Sequence, residues 1–168
     1  MKHAAMSIKD HMNRGVGKGL AGAINLRGYF SADLFDEFGK LKDHREGENT
    51  VTTLALAMVA DRFDDTPAID LPGWMELGTG SAQGAGDSTL DTYIVDSRTA
   101  NTTATTTTDH VVYVCTFGAG VGTGEVTEAG LFNVVTQNTT DLILYDDFSV
   151  VNKAAGDSLV VTWTLTFS

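Results

Sequence analysis

Gly15-Val16-Gly17-Lys18-Gly19 sets a lysine among glycines, as phosphate-binding loops do. A true phosphate loop needs GxxxxGK followed by Ser or Thr, and Gly19 stands where that hydroxyl should be. Gly118, Gly120, Gly122 and Gly124 alternate, but Glu125 onward reads as a strand, whereas a dinucleotide fingerprint opens a helix. They read as a hairpin loop. The histidines are His3, His11, His44 and His110, and no two have metal-binding spacing. Asp64-Asp65 and Asp146-Asp147 are acidic doublets without the alternating ligands and distal Glu of a calcium loop. Gly-x-Ser-x-Gly is absent, so no nucleophile elbow is in place. The single Cys115, inside Val111 to Phe117, reads as a buried apolar thiol rather than a nucleophile. These readings predict no catalytic residue, no cofactor and no resident metal.

Charge is more telling when divided along the chain. Residues 1–32 carry Lys2, Lys9, Arg14, Lys18 and Arg27 against Asp10 alone. Of 11 basic and 22 acidic residues in total, the remainder therefore holds 6 and 21. An acidic body repels phosphate backbones, so nucleic-acid binding by the globular part is disfavoured. A basic segment on such a body suits contact with a second copy or an acidic neighbour. The five basic residues are the candidate intersubunit contacts. The longest apolar run, Leu54 to Ala60, is too short for a membrane helix, and no secretory leader is visible.

The elements that must position these residues are mainly strands. Leu159, Val161, Trp163, Leu165 and Phe167 alternate with Val160, Thr162, Thr164 and Thr166, which predicts one buried and one hydroxyl-lined face. Core packing is the reading for Trp163, Trp74, Phe132 and Phe148, against a sugar-stacking face. Strands are also expected over 26–36, 41–45, 74–77, 102–108, 111–117, 128–135 and 142–148. Gly39 marks a turn after the first. On that first strand Leu26, Tyr29 or Phe30, and Leu34 compete for the inner face. Thr50 to Phe63 reads as a helix, with Leu54, Ala55, Met58 and Val59 as its stripe. A helical turn is expected near Ser88–Tyr93, and a short helix over Ser7–Arg14. The expected organisation is a basic, Gly-rich arm at 1–22 and one β-rich domain at 23–168. Its class is an antiparallel β-sandwich or barrel with one packed helix.

Three elements, the last of them in three stretches, resemble a group of small structural proteins of tailed bacteriophages. Asn49-Thr50-Val51 leads into an apolar helix after a charged hairpin, and Leu77-Gly78-Thr79-Gly80 is similar to the group's Gly-Thr-Gly turn. Val126-Thr127-Glu128-Ala129-Gly130-Leu131-Phe132-Asn133, Asp147 to Lys153 and Gly156 to Trp163 follow in matching order. Thr127 departs from the group, which has a more hydrophobic residue there. In this pattern Gly130 is expected to allow close backbone approach beside Glu128. Leu131 and Phe132 cannot share a face, which points one of them at a subunit contact. The resemblance implies a non-enzymatic virion protein, assembled in a bacterial cytoplasm. The first reading is a head decoration (cement) protein, a homo-oligomer of trimer type seated on the major capsid protein. A neck or tail ring component, and a glycan- or receptor-binding module at a fibre base, are the alternatives.

Overall fold

A computed structural model of the chain describes residues 25–81 and 84–168. The strands are β1 (Leu26–Phe35), β2 (Leu41–Val51), β3 (Trp74–Gly78), β4 (Thr99–Ala100), β5 (Thr103–Thr106), β6 (His110–Phe117), β7 (Gly124–Phe132), β8 (Leu142–Lys153) and β9 (Ser158–Phe167). One helix, α1 (Thr53–Asp61), follows β2. All described pairings are antiparallel, in the order β4-β3-β7-β8-β2-β1-β9-β6-β5. The sheet curls into a half-barrel, so the mainly β class with one short helix holds.

Its two edges are consecutive in the chain. Asn101 N–H donates to Gly73 O at 2.9 Å on the β3 side, and Thr102 N–H donates to Val114 O at 2.7 Å on the β6 side. One bent segment thus carries the chain from one edge of the sheet to the other and prolongs the pairing at both.

The final strand is the spine of one half. β9 pairs with β1 from Leu26↔Phe167 to Phe35↔Ser158, and with β6 from His110↔Thr166 to Phe117↔Leu159. Its predicted alternation holds: Leu159, Val161, Trp163 and Leu165 are buried. On β1 the contest for the inner face goes to Phe30, Ala32 and Leu34, while Tyr29 faces out. Phe30 is the hub. Its ring lies 4.7 Å from Trp163, tilted, and 5.0 Å from Phe148, stacked.

β2 and β8 both run longer than their sequence reading, β2 because its second half pairs with β1. β2 runs to Val51 rather than Arg45, yet pairs with β8 only at Thr50↔Tyr145 and Val51↔Leu144. β8 continues to Lys153 rather than Phe148 through a bulge, where Phe148, Ser149 and Val150 oppose Thr127 alone. A bulge breaks the period-two pattern and leaves carbonyls outside the ladder. Arg45 takes two of them: Nε donates to Ser149 O at 3.1 Å and Nη2 to Val150 O at 3.2 Å. A side chain thus joins β2 to β8 where their ladder is missing.

Other boundaries shift too. β7 runs Gly124–Phe132, not 128–135, and β5 covers only Thr103–Thr106. The helix begins at Thr53, because Thr50 and Val51 belong to β2 and Thr52 is the N-cap, its Oγ1 accepting from Ala55 N–H at 3.3 Å. The Ser88–Tyr93 turn does not form as a helix. That stretch is a loop, pinned by the Gly78↔Tyr93 bridge and by Leu142 N–H donating to Ser88 O at 3.1 Å.

Phe30→Ala should cost about 3–5 kcal/mol, since it removes a fully buried ring that contacts two others. Urea denaturation of the variant against the parent chain measures it. A loss below about 1 kcal/mol would show that Phe148 and Trp163 close the gap between themselves.

Candidate functional site

Of the five basic candidates, Lys2, Lys9, Arg14 and Lys18 lie outside the described residues, as does the expected Ser7–Arg14 helix. Arg27 is on β1, exposed, in register with Thr166 and beside a shallow polar pocket with Glu48 and Asn49. The structure brings other charged groups together, and most of them are buried.

The first centre is Glu128 on β7, fully buried. Its Oε1 accepts from the backbone N–H groups of Gly80 and Thr92, both at 2.8 Å, and Oε2 from Asp91 N–H at 3.2 Å. Thr127 Oγ1 donates to Gly80 O at 2.7 Å. Gly80 of the Gly78-Thr79-Gly80 turn and residues 91 and 92 of the facing loop are thereby held on one carboxylate. This requires the glycines. A Cβ on Gly78 would strike the Glu128 carboxylate and sit 2.7 Å from Thr92 O, and one on Gly80 would sit 2.5 Å from Asp91 Cβ. Gly130 has a different role from the one its sequence suggested. A side chain there would meet Leu142 and the Phe132 ring at 2.7 Å, so its constraint is side-chain packing.

The second centre surrounds Arg98. Nη2 donates to Glu76 Oε2 at 2.9 Å, while Nη1 donates to Asp141 Oδ2 at 3.0 Å and to Val134 O at 2.7 Å. The guanidinium lies 3.5 Å above the centre of the Phe132 ring. Gln137 Nε2 donates to Glu76 Oε1, and Asp141 Oδ2 also accepts from Val134 N–H at 3.0 Å. Side-chain exposure is 3% for Arg98, 2% for Glu76 and 6% for Asp141. Burial holds the Glu76 carboxyl above the usual range, partly offset by Arg98. Two acids sharing one arginine in a dry site fasten the loops before β4 and β8 to β3. Phe132 is buried beneath the arginine and Leu131 in the main core, so neither is left for a subunit contact.

The third centre closes the last turn. Lys153, buried, donates through Nζ to Gly118 O and Asp157 O, each at 2.8 Å. Asp157 Oδ2 accepts from Lys42 Nζ at 2.5 Å and from Ala154 N–H at 2.9 Å. The Lys42 hydrogen bond holds the Asp157 carboxyl below its ordinary range, and burial lowers the Lys153 ammonium.

Two further sites are reactive by type. Cys115 is buried, 3.5 Å from Ala100 O, with its thiol pushed up to about 12 by desolvation, which disfavours the thiolate at neutral pH. On the outer face of β1 and β2, His44 Nδ1 lies 2.6 Å from Asp33 Oδ1, and Tyr29 Oη donates to Glu46 Oε2 at 2.6 Å. The Asp33 hydrogen bond raises the His44 pKa. Among the described residues no three His, Cys, Asp or Glu side chains converge as a metal site.

One broad concavity is apolar. A groove of about 600 Å³ lies between α1 and the β9-β6-β5 end of the sheet. Met58, Val59, Val111, Tyr113 and Leu165 line it, and Phe63 and Leu71 stand at its rim, 80% and 61% exposed. Large exposed apolar side chains around a concave surface mark an interaction site. The aromatics weighed for sugar stacking are otherwise engaged. Trp163 and Phe132 are buried, Phe148 stacks on Phe30, and Trp74 packs against the cluster of Leu90, Phe132, Leu142 and Tyr145.

Comparison with known protein families, known proteins and solved structures finds no match for this chain.

Glu128→Gln should destabilise the fold by about 2–3 kcal/mol, because an amide has one acceptor oxygen for three N–H donors and brings its own donors among them. Chemical denaturation reads this directly. An unchanged midpoint would mean that the turn stands without the carboxylate.

Asp146 gives a pH dependence. Burial, then the neighbouring Asp147, pushes its carboxyl up to about 7. The unfolded chain ionises this group near pH 4, the folded one near 7, so its proton stabilises the fold at low pH. That contribution falls as pH rises from about 4 to 7 and is gone above 7. Asp146→Asn should therefore leave stability at pH 4 nearly unchanged and raise it by about 1–2 kcal/mol at pH 8, allowing for partial solvent screening. Thermal melts at the two pH values test the difference.

Proposed function

We propose that this chain is a structural protein of a tailed-phage virion, and within that class a head decoration protein. The observation that carries the reading is where the residues of the resemblance fall. Glu128 of the Val126–Asn133 stretch clamps Gly80 of the Gly-Thr-Gly turn, 48 residues earlier. Lys153 and Asp157, from the two later stretches, bind each other and receive Lys42 from the charged hairpin. Asn49-Thr50-Val51 passes β2 into the capped helix. The matching residues are spent on holding strands, turns and edges together. That is the demand on a shell component, which works through rigidity and contact area rather than turnover.

In this reading the acidic body sits on the particle as a symmetric homo-oligomer, of trimer type, and the basic residues of segment 1–32 meet acidic surface on neighbours. Contact area between subunits and with the capsid protein opposes the outward pressure of packaged DNA. A neck or tail ring would use the same features in far fewer copies.

Quantitative mass spectrometry of purified virions separates these cases. A ratio to the major capsid protein of the same order as one is the expected result. A dozen copies or fewer per particle would assign the chain to the neck or tail, and its absence from virions would end both readings.

A further inference from the structure

The apolar groove has a neighbour that its lining residues identify. Its lower wall is the end of β9, Leu165, Phe167 and Ser168. Asn25 is bonded to that wall through both backbone groups: Asn25 N–H donates to Ser168 O at 2.6 Å, and Ser168 N–H to Asn25 O at 3.0 Å. The 24 residues before Asn25 therefore join the described body at the rim of the groove. Their sequence carries Met1, Ala5, Ile8 and Met12, spaced by four, three and four. That spacing puts the four on one face of a helix, with Lys2, Lys9 and Arg14 off it. Residues 13–24 can extend by up to about 40 Å, enough to lay the stripe along a groove that starts where they do. Arg62 is the one charged residue of the lining, and its Nη2 donates to the Ile69 carbonyl. The groove thus offers an apolar floor to an apolar stripe and asks for no ion pair.

We propose that the Met1–Met12 stripe of the same chain is the occupant of the groove between α1 and β9-β6-β5. A tethered segment reaches millimolar effective concentration, which a free partner or a second copy does not match. Docking buries the Phe63, Leu71 and Phe167 surfaces and holds Lys2, Lys9 and Arg14 outward at this end of the acidic body. The assignment stands on the groove and the chain entry alone, independent of any place in a virion.

The test uses the full chain with a benzophenone side chain in place of Ile8, irradiated and mapped by peptide mass spectrometry. The expected product is a link within one chain to peptides containing Phe63, Leu71, Val111 or Phe167. Adding Leu71→Glu, at the exposed rim, should cut the yield several-fold while the circular dichroism stays that of the parent. Links to the groove of a second chain would make a neighbouring copy the occupant and overturn the assignment. Links outside the groove, or none, would overturn it as well.

Discussion

A carboxylate withdrawn from water must be met by donors, and the loops of this protein are arranged to supply them. Glu128 collects three backbone N–H groups from two loops. Glu76 and Asp141 share Arg98. Asp157 collects Lys42 and the Ala154 amide, while its carbonyl receives Lys153. Unpaired, each would cost several kcal/mol. Paired, each makes a loop conformation conditional on the sheet beneath it. Long connections such as 84–98 and 133–141 therefore gain definition without regular structure of their own.

The same logic governs the edges and irregularities of the sheet. The β8 bulge frees the carbonyls of Ser149 and Val150, and Arg45 of β2 takes them across the gap where backbone pairing stops. Asn101 and Thr102, adjacent in sequence, bond to the strands next to opposite edges of the curled sheet. Both devices put polar groups where the ladder runs out, and the apolar core stays continuous from Met75 and Leu131 to Trp163 and Phe117. Asp146 is the exception. It is half-withdrawn from solvent beside a like charge, and burial with the neighbouring Asp147 pushes its carboxyl up, only partly offset by a backbone hydrogen bond from Asp147.

Much of the framework was legible in the residues. Alternation over 159–167 named the buried face of β9 correctly, because a strand with one wet face must alternate and five apolar positions leave no second choice. Gly39, at φ +80°, was readable as the first turn for the same kind of reason: its conformation favours glycine. The helix was legible as an element but not at its start, since β-branched Thr50 and Val51 serve strand or helix and only the Tyr145 and Leu144 pairings decide.

The candidate sites were not legible, for a reason that follows from distance along the chain. The basic residues stand out by type, yet type carries no address: the partners of Glu128 lie 36 to 48 residues away, those of Arg98 22 to 43, and the Gly118 carbonyl that Lys153 meets 35. Backbone amides and carbonyls, which supply most of those contacts, carry no side-chain signature at all. The sequence by itself determined which faces could be buried, where the chain must turn, and the opposite charge of its two parts. Only the tertiary structure decided that Gly78 and Gly80 exist to admit a carboxylate, that Leu131 and Phe132 enter two different cores, and that an apolar groove opens beside Asn25. Those outcomes depend on pairing order and on the bulge register, which distant strands set together.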